Sequence, residues 1–182
     1  MLGSNNALGY IMIDGTDSQL RGAVIVTDFR GIPLDFKYTE PLKLNRLQRI
    51  IYGKSLNTYL KEHLLLESLL EAVEISPQLW LCSDEELLNP LKENGNLKVL
   101  LLQNTNREPL ESIGHVEAEG AYYVLQAEKS GSPLRIKFPE KVRPDEVKAS
   151  VNILIEASKS MDLMDAFTRL QKAISSINSG VE

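Results

Sequence analysis

Basic residues are concentrated where this 182-residue chain first turns helical: Lys43, Arg46 and Arg49 stand at i, i+3 and i+6. That spacing puts the three on one side of a helix. A guanidinium fork bonds phosphate or carboxylate bidentately, so the trio is a candidate anion site, with an ordinary solvated basic face as the alternative. Tyr52 and Tyr59 follow in the chain. Their rings could stack on nucleic-acid bases, although Tyr52 also falls on an apolar stripe that predicts a core position. Other chemistry is scarce. The two histidines, His63 and His115, show no HxH, HExxH or Cys/His spacing, so a zinc site is not expected. No Gly-x-Ser-x-Gly elbow and no glycine-rich phosphate loop is present. The single cysteine, Cys82, excludes an internal disulfide framework and reads as a small buried hydrophobe in an apolar run.

Charge is unevenly placed. Residues 37–61 carry six Lys or Arg against Glu40, a local +5, while residues 62–93 carry eight acids against Lys92, a local −7. This order opposes the helix macrodipole, so local helix energetics do not explain it. The two blocks are read either as solvated faces or as complementary patches for anion capture or self-association. The overall charge of −5 argues against nucleic-acid binding by the surface as a whole.

The elements that must position these groups follow from pattern. Tyr10–Ile13, Gly22–Thr27 and Ile32–Tyr38 are β-prone runs separated by turn formers, which predicts a three-stranded antiparallel meander over 9–40. Leu44, Leu47, Ile51, Leu60, Leu64 and Leu70 keep helical spacing, extended by Tyr52, Leu56 and Tyr59. Gly53 divides that helical region or kinks it. Leu79–Cys82 and Leu97–Leu102 are apolar strands joined by a short helix, a parallel pairing. Ser83, with Glu86 three residues on, reads as a capping box for that helix. Residues 115–128 and 134–138 predict a hairpin, and two amphipathic helices follow, one opening at Pro144 and one over Met161–Ile177. The expected class is mixed-sheet α/β in a single compact domain over 1–182. Its α/β core covers 9–102, with the hairpin and C-terminal helices of 113–178 packed on it.

Ile13-Asp-Gly-Thr16, Gly22-Ala-Val, Asn45-Arg-Leu-Gln48 and Leu79-Trp-Leu-Cys-Ser-Asp84 together resemble the ribonuclease H-like layout over residues 9–92. The resemblance implies three antiparallel strands, a helix and a parallel fourth strand. It also implies metal-binding acids at Asp14, at Asp84 and, on the last helix, at Asp165. Such chemistry holds Mg²⁺ or Mn²⁺ with several converging carboxylates around a phosphate. Gln48 stands where the family places a helix glutamate, so the set is incomplete.

Three functions compete on these grounds. The leading expectation is a binding, self-associating or regulatory scaffold with no catalytic residues and no cofactor, forming a homo-oligomer or meeting a protein partner. The second is a metal-dependent phosphodiesterase, nuclease-like or degenerate, using Asp14, Asp84 and Asp165 with nucleic acid as partner. The third is a regulatory domain that binds a small anionic ligand through Lys43, Arg46 and Arg49. The N-terminus lacks a signal-peptide pattern and no window suits a membrane span, so a cytoplasmic location is expected.

Overall fold

The computed structural model describes residues 2–3, 6–16, 19–42, 44–95, 97–140 and 142–179. Its backbone is an eight-stranded mixed sheet with helices on both faces. β1 (Leu2–Gly3) stands apart, paired with β5 (Ile75–Ser76). The predicted meander is β2 (Ala7–Thr16), β3 (Gln19–Asp28) and β4 (Pro33–Tyr38). β2 begins three residues before Tyr10, and Asp14 to Thr16 remain in the strand instead of forming the expected connection. Residues 17 and 18 of that connection lie outside the described residues. The second turn is built by Asp28, whose Oδ1 accepts from the N–H groups of Arg30 and Ile32. Gly31 there takes a φ of 79°, which a side chain would resist.

β6 (Leu79–Cys82) pairs in parallel with β2, and β7 (Val99–Asn104) in parallel with β6. β8 (Val116–Glu119), β9 (Tyr122–Leu125) and β10 (Leu134–Lys137) complete the order β4-β3-β2-β6-β7-β10-β9-β8. The run 115–128 is therefore two strands, not one. It folds back at Gly120, whose φ of 63° suits a tight reversal that periodicity alone did not reveal. Pro33 lies on β4, at the sheet edge, where its missing N–H leaves no ladder bond unmade.

Side-chain alternation assigns the two faces. Leu8, Tyr10, Leu79 and Leu81 meet α5 (Pro144–Ser158) and α6 (Asp165–Ser179) through Leu154, Phe167, Leu170 and Ile174. Ala7, Ile11, Trp80 and Cys82 face the other way, onto Leu69, Leu70, Leu88 and Leu91. Gly9 is what allows Trp80 to lie flat on this face: a Cβ there would come within 2.7 Å of both the indole and Pro77.

The helical region departs most from expectation. It breaks into α1 (Arg46–Tyr52), a 3₁₀ turn at Gly53–Ser55, a single turn α2 (Leu56–Thr58), a wider π-wound stretch Tyr59–Leu66 and α3 (Glu67–Ala72). Gly53, with φ 53° and ψ −128°, ends α1. π-winding closes i→i+5 bonds, so Leu65 joins Leu60 in the core while Leu64 turns outward. The stripe read at ordinary helical spacing is thus out of phase. Leu47, Ile50 and Ile51 are 63, 67 and 69% exposed, and α1 buries no residue. α4 (Leu88–Glu93) follows a 3₁₀ turn at Glu85–Leu87. The cap is Asp84 in place of Ser83, with its Oδ1 accepting from the Glu86 N–H at 3.0 Å.

Candidate nucleic-acid interface

Asp14 and Asp84 stand at the same end of the sheet, because β2 and β6 run parallel and their last partners are Ile11 and Cys82. From there the two are held by different neighbours. Asp14 lies on the α6 face of β2, where Gln171 Nε2 donates to its Oδ2 at 3.3 Å. Asp84 has left the sheet to cap the turn before α4. Asp165 opens α6 and holds Arg169 at 2.9 Å. It lies six residues before Gln171, roughly 9 Å of helix from the residue that meets Asp14. Gln48 is turned back on its own helix: its Oε1 accepts from the Asn45 N–H while Asn45 Oδ1 accepts from the Gln48 N–H. A reciprocal cap of this kind leaves neither group free to reach the sheet.

These positions do not fit a two-metal centre. Among the described residues no group of three or more His, Cys, Asp or Glu is placed to hold a metal ion. A further obstacle is fixed in the sheet. Arg21 is the direct cross-strand partner of Asp14, which puts the two side chains on one face as neighbours. Arg21 is 8% exposed, and its Nε and Nη1 have no hydrogen-bond partner among the described residues. A buried guanidinium on the same face as the first carboxylate adds positive charge to that end of the sheet. Pattern reading missed Arg21 because the β-prone run was read from Gly22, whereas β3 already begins at Gln19.

The basic cluster fares differently. Lys43 lies outside the described residues. Arg46 and Arg49 sit exposed on α1, and neither forms an ion pair with a described residue. Residues 44–61 contain no acid. Tyr52, expected in the core, is 37% exposed and stacks on Tyr59 with ring centroids 4.8 Å apart and planes 15° apart. The hydrogen bond to the Tyr52 phenol, then its charge, raise the pKa of Tyr59. His63 continues the column at 5.8 Å from Tyr59, and its Nδ1 lies 3.2 Å from Glu67. His115 faces Glu117 at 3.7 Å, with no metal-ligand company. Cys82 is buried, and burial pushes its thiol pKa up, which makes it inert.

Ion pairs join the two charge blocks within the molecule. Lys37 pairs with Glu74 at 2.9 Å, and Lys61 with Glu86 at 2.7 Å. Those two bases therefore meet acids of the other block within one molecule.

No protein-family model matches the chain, and no curated protein matches it. Solved structures do. An endonuclease V from Streptomyces avermitilis superposes with a TM-score of 0.59 at 13% identity, over 94% of this chain and 82% of that one. The Bacillus subtilis endonuclease V gives 0.56 at 13% identity, over 96% and 84%. A Ciona intestinalis endonuclease V, in complex with a 23mer DNA containing an inosine followed by a ribo-adenosine, gives 0.56 at 10% identity, over 94% and 86%. These likenesses overturn the leading expectation of a self-associating or protein-binding scaffold, since nearly the whole chain follows the fold of nucleases. Among the described residues no helix is long and apolar enough to cross a membrane. The chain carries the fold of endonuclease V, with three antiparallel strands, a helical region and a parallel fourth strand.

Proposed function

We propose that this chain is a nuclease-like, nucleic-acid-binding protein: a degenerate relative of the ribonuclease H-like enzymes that keeps their fold and their partner but not a complete metal centre. The likeness to endonuclease V over 94–96% of the chain carries the reading, and one of those structures holds DNA. The surface chemistry supports it. Arg46 and Arg49 on α1, with Lys54 in the turn that follows, form an acid-free cationic stretch where guanidinium forks can take phosphate oxygens bidentately. The net charge of −5 does not oppose this, because local potential governs phosphate approach.

Fluorescence anisotropy with labelled DNA and RNA oligonucleotides, in EDTA and again in Mn²⁺, tests the reading. The expected result is binding in both buffers with the oligonucleotides intact. Absence of binding at low salt would reject the nucleic-acid partner. Mn²⁺-dependent cleavage lost in Asp14→Asn or Asp84→Asn would instead show a working metal centre and reject the degeneracy.

A further inference from the structure

Arg46, Arg49 and Tyr52 stand three residues apart on α1 and so form one row along the helix. The row ends in a ring column: Tyr59 covers one face of Tyr52, His63 lies behind Tyr59, and no described aromatic ring covers the other face of Tyr52. Gly53, next in the chain, stands in open space, since an added Cβ there would meet no atom within 4 Å beyond its chain neighbours. The helix carrying this row buries no side chain of its own. Tyr59 packs partly on the core around Leu56 and Leu60, but burial accounts neither for the exposed Tyr52 ring nor for two exposed arginines that form no ion pair with a described residue.

We propose that this row binds single-stranded nucleic acid, with successive phosphates on Arg49 and Arg46 and an unpaired base stacked on the open face of Tyr52. The proposal rests on the nucleic-acid reading above and adds the strand state and the contacts. Duplex DNA hides its ring faces inside the stack, whereas a single strand offers each base to an aromatic side chain. Tyr59 acts as a positioning residue: packed under Tyr52, it restricts that ring to one orientation, which lowers the entropy lost on stacking. The exposed Ile50 and Leu47 continue beside Arg46 and give apolar contact to the neighbouring nucleotide.

The test compares three probes of equal length by anisotropy: an oligothymidylate of about 15 nucleotides, an abasic oligonucleotide and a duplex. Wild type should prefer the oligothymidylate. Tyr52→Ala and Tyr59→Ala should each weaken it about five- to hundred-fold and leave the abasic strand unaffected. Tyr52→Phe, which keeps the ring, should bind as wild type. Arg46→Gln and Arg49→Gln should weaken all three probes alike. Unchanged oligothymidylate affinity in Tyr52→Ala, or equal wild-type affinity for the abasic strand, would overturn base stacking while leaving nucleic-acid binding intact. If no probe binds wild type, the nucleic-acid reading itself falls, and the exposed Leu47–Ile51 surface would be left to a protein partner.

Discussion

Gly9 and Trp80 show how tightly single residues determine this fold. The indole fills the space where a Cβ on Gly9 would sit, so Gly9→Ala should cost about 1–3 kcal/mol through overpacking. At roughly 2–4 °C per kcal/mol for a chain of this size, a thermal melt would resolve it. Asp84 separates the catalytic and the capping accounts. As a cap it predicts that Asp84→Ala loses about 1 kcal/mol and Asp84→Asn only a few tenths, because asparagine also accepts from the Glu86 N–H. A metal ligand would predict a Mn²⁺-dependent melting shift in wild type that both variants lose. Arg21 gives a third check. A buried guanidinium with two unpartnered nitrogens is costly, so Arg21→Met should leave the melting temperature unchanged or raise it. A clear fall would mean that the guanidinium is paired. At this scale the sequence was partly legible. Turn and cap roles for Asp14 and Asp84 could be read from their types, and Asp84 is a cap, but the pairing of Asp14 with Arg21 could not, because cross-strand partners are set by tertiary register.

The elements repeat that lesson in a different form. Strands were readable because β-branched runs and turn residues alternate with little ambiguity: β6 is where the apolar run puts it, and β7 begins two residues later than read. The helical region was not, because its winding changes at Gly53 and again at Tyr59. A period of 3.6 puts Leu47 and Ile51 in the core; the π-wound turn puts Leu65 there instead. Alanine substitution distinguishes the two phases. Leu65→Ala should cost about 2–5 kcal/mol and Leu47→Ala less than about 0.5 kcal/mol, measured by urea denaturation. The reverse order would restore the regular helix. The hairpin at Gly120 was missed because Glu119, Gly120 and Ala121 do not break an otherwise strand-like run strongly enough to stand out.

For the molecule as a whole, charge pairing ties distant parts of the sheet together. Lys137 on β10 bonds Glu85 beside β6, and Tyr122 on β9 donates to the same carboxylate at 2.7 Å. The hydrogen bond from Lys137 lowers the pKa of Glu85, and the same bond raises that of Lys137. A depressed carboxylate pKa contributes stability that is present above its unfolded value, near pH 4, and is lost as pH falls through the folded value. The raised lysine contributes below about pH 10 and loses that contribution as pH rises through its folded value. Wild type should therefore melt above Lys137→Met across the neutral range, with the difference closing at both extremes. A difference independent of pH would assign the contact to packing.

The proposed nucleic-acid binding turns on local electrostatics that differ from the net charge of −5. The antiparallel strands, the helical region and the parallel strands were legible from short segments that resemble the ribonuclease H-like layout, and the cationic row on α1 was legible as a local excess of basic residues. The salt dependence of oligonucleotide binding in EDTA is the most direct test, comparing wild type with the Arg46→Gln/Arg49→Gln double variant. The account predicts metal-independent binding to a single strand. Its log–log salt slope should fall in the double variant by about 0.7 for each phosphate that an arginine no longer neutralises. A slope identical in the two proteins, or binding that appears only when Mn²⁺ is added, would contradict it.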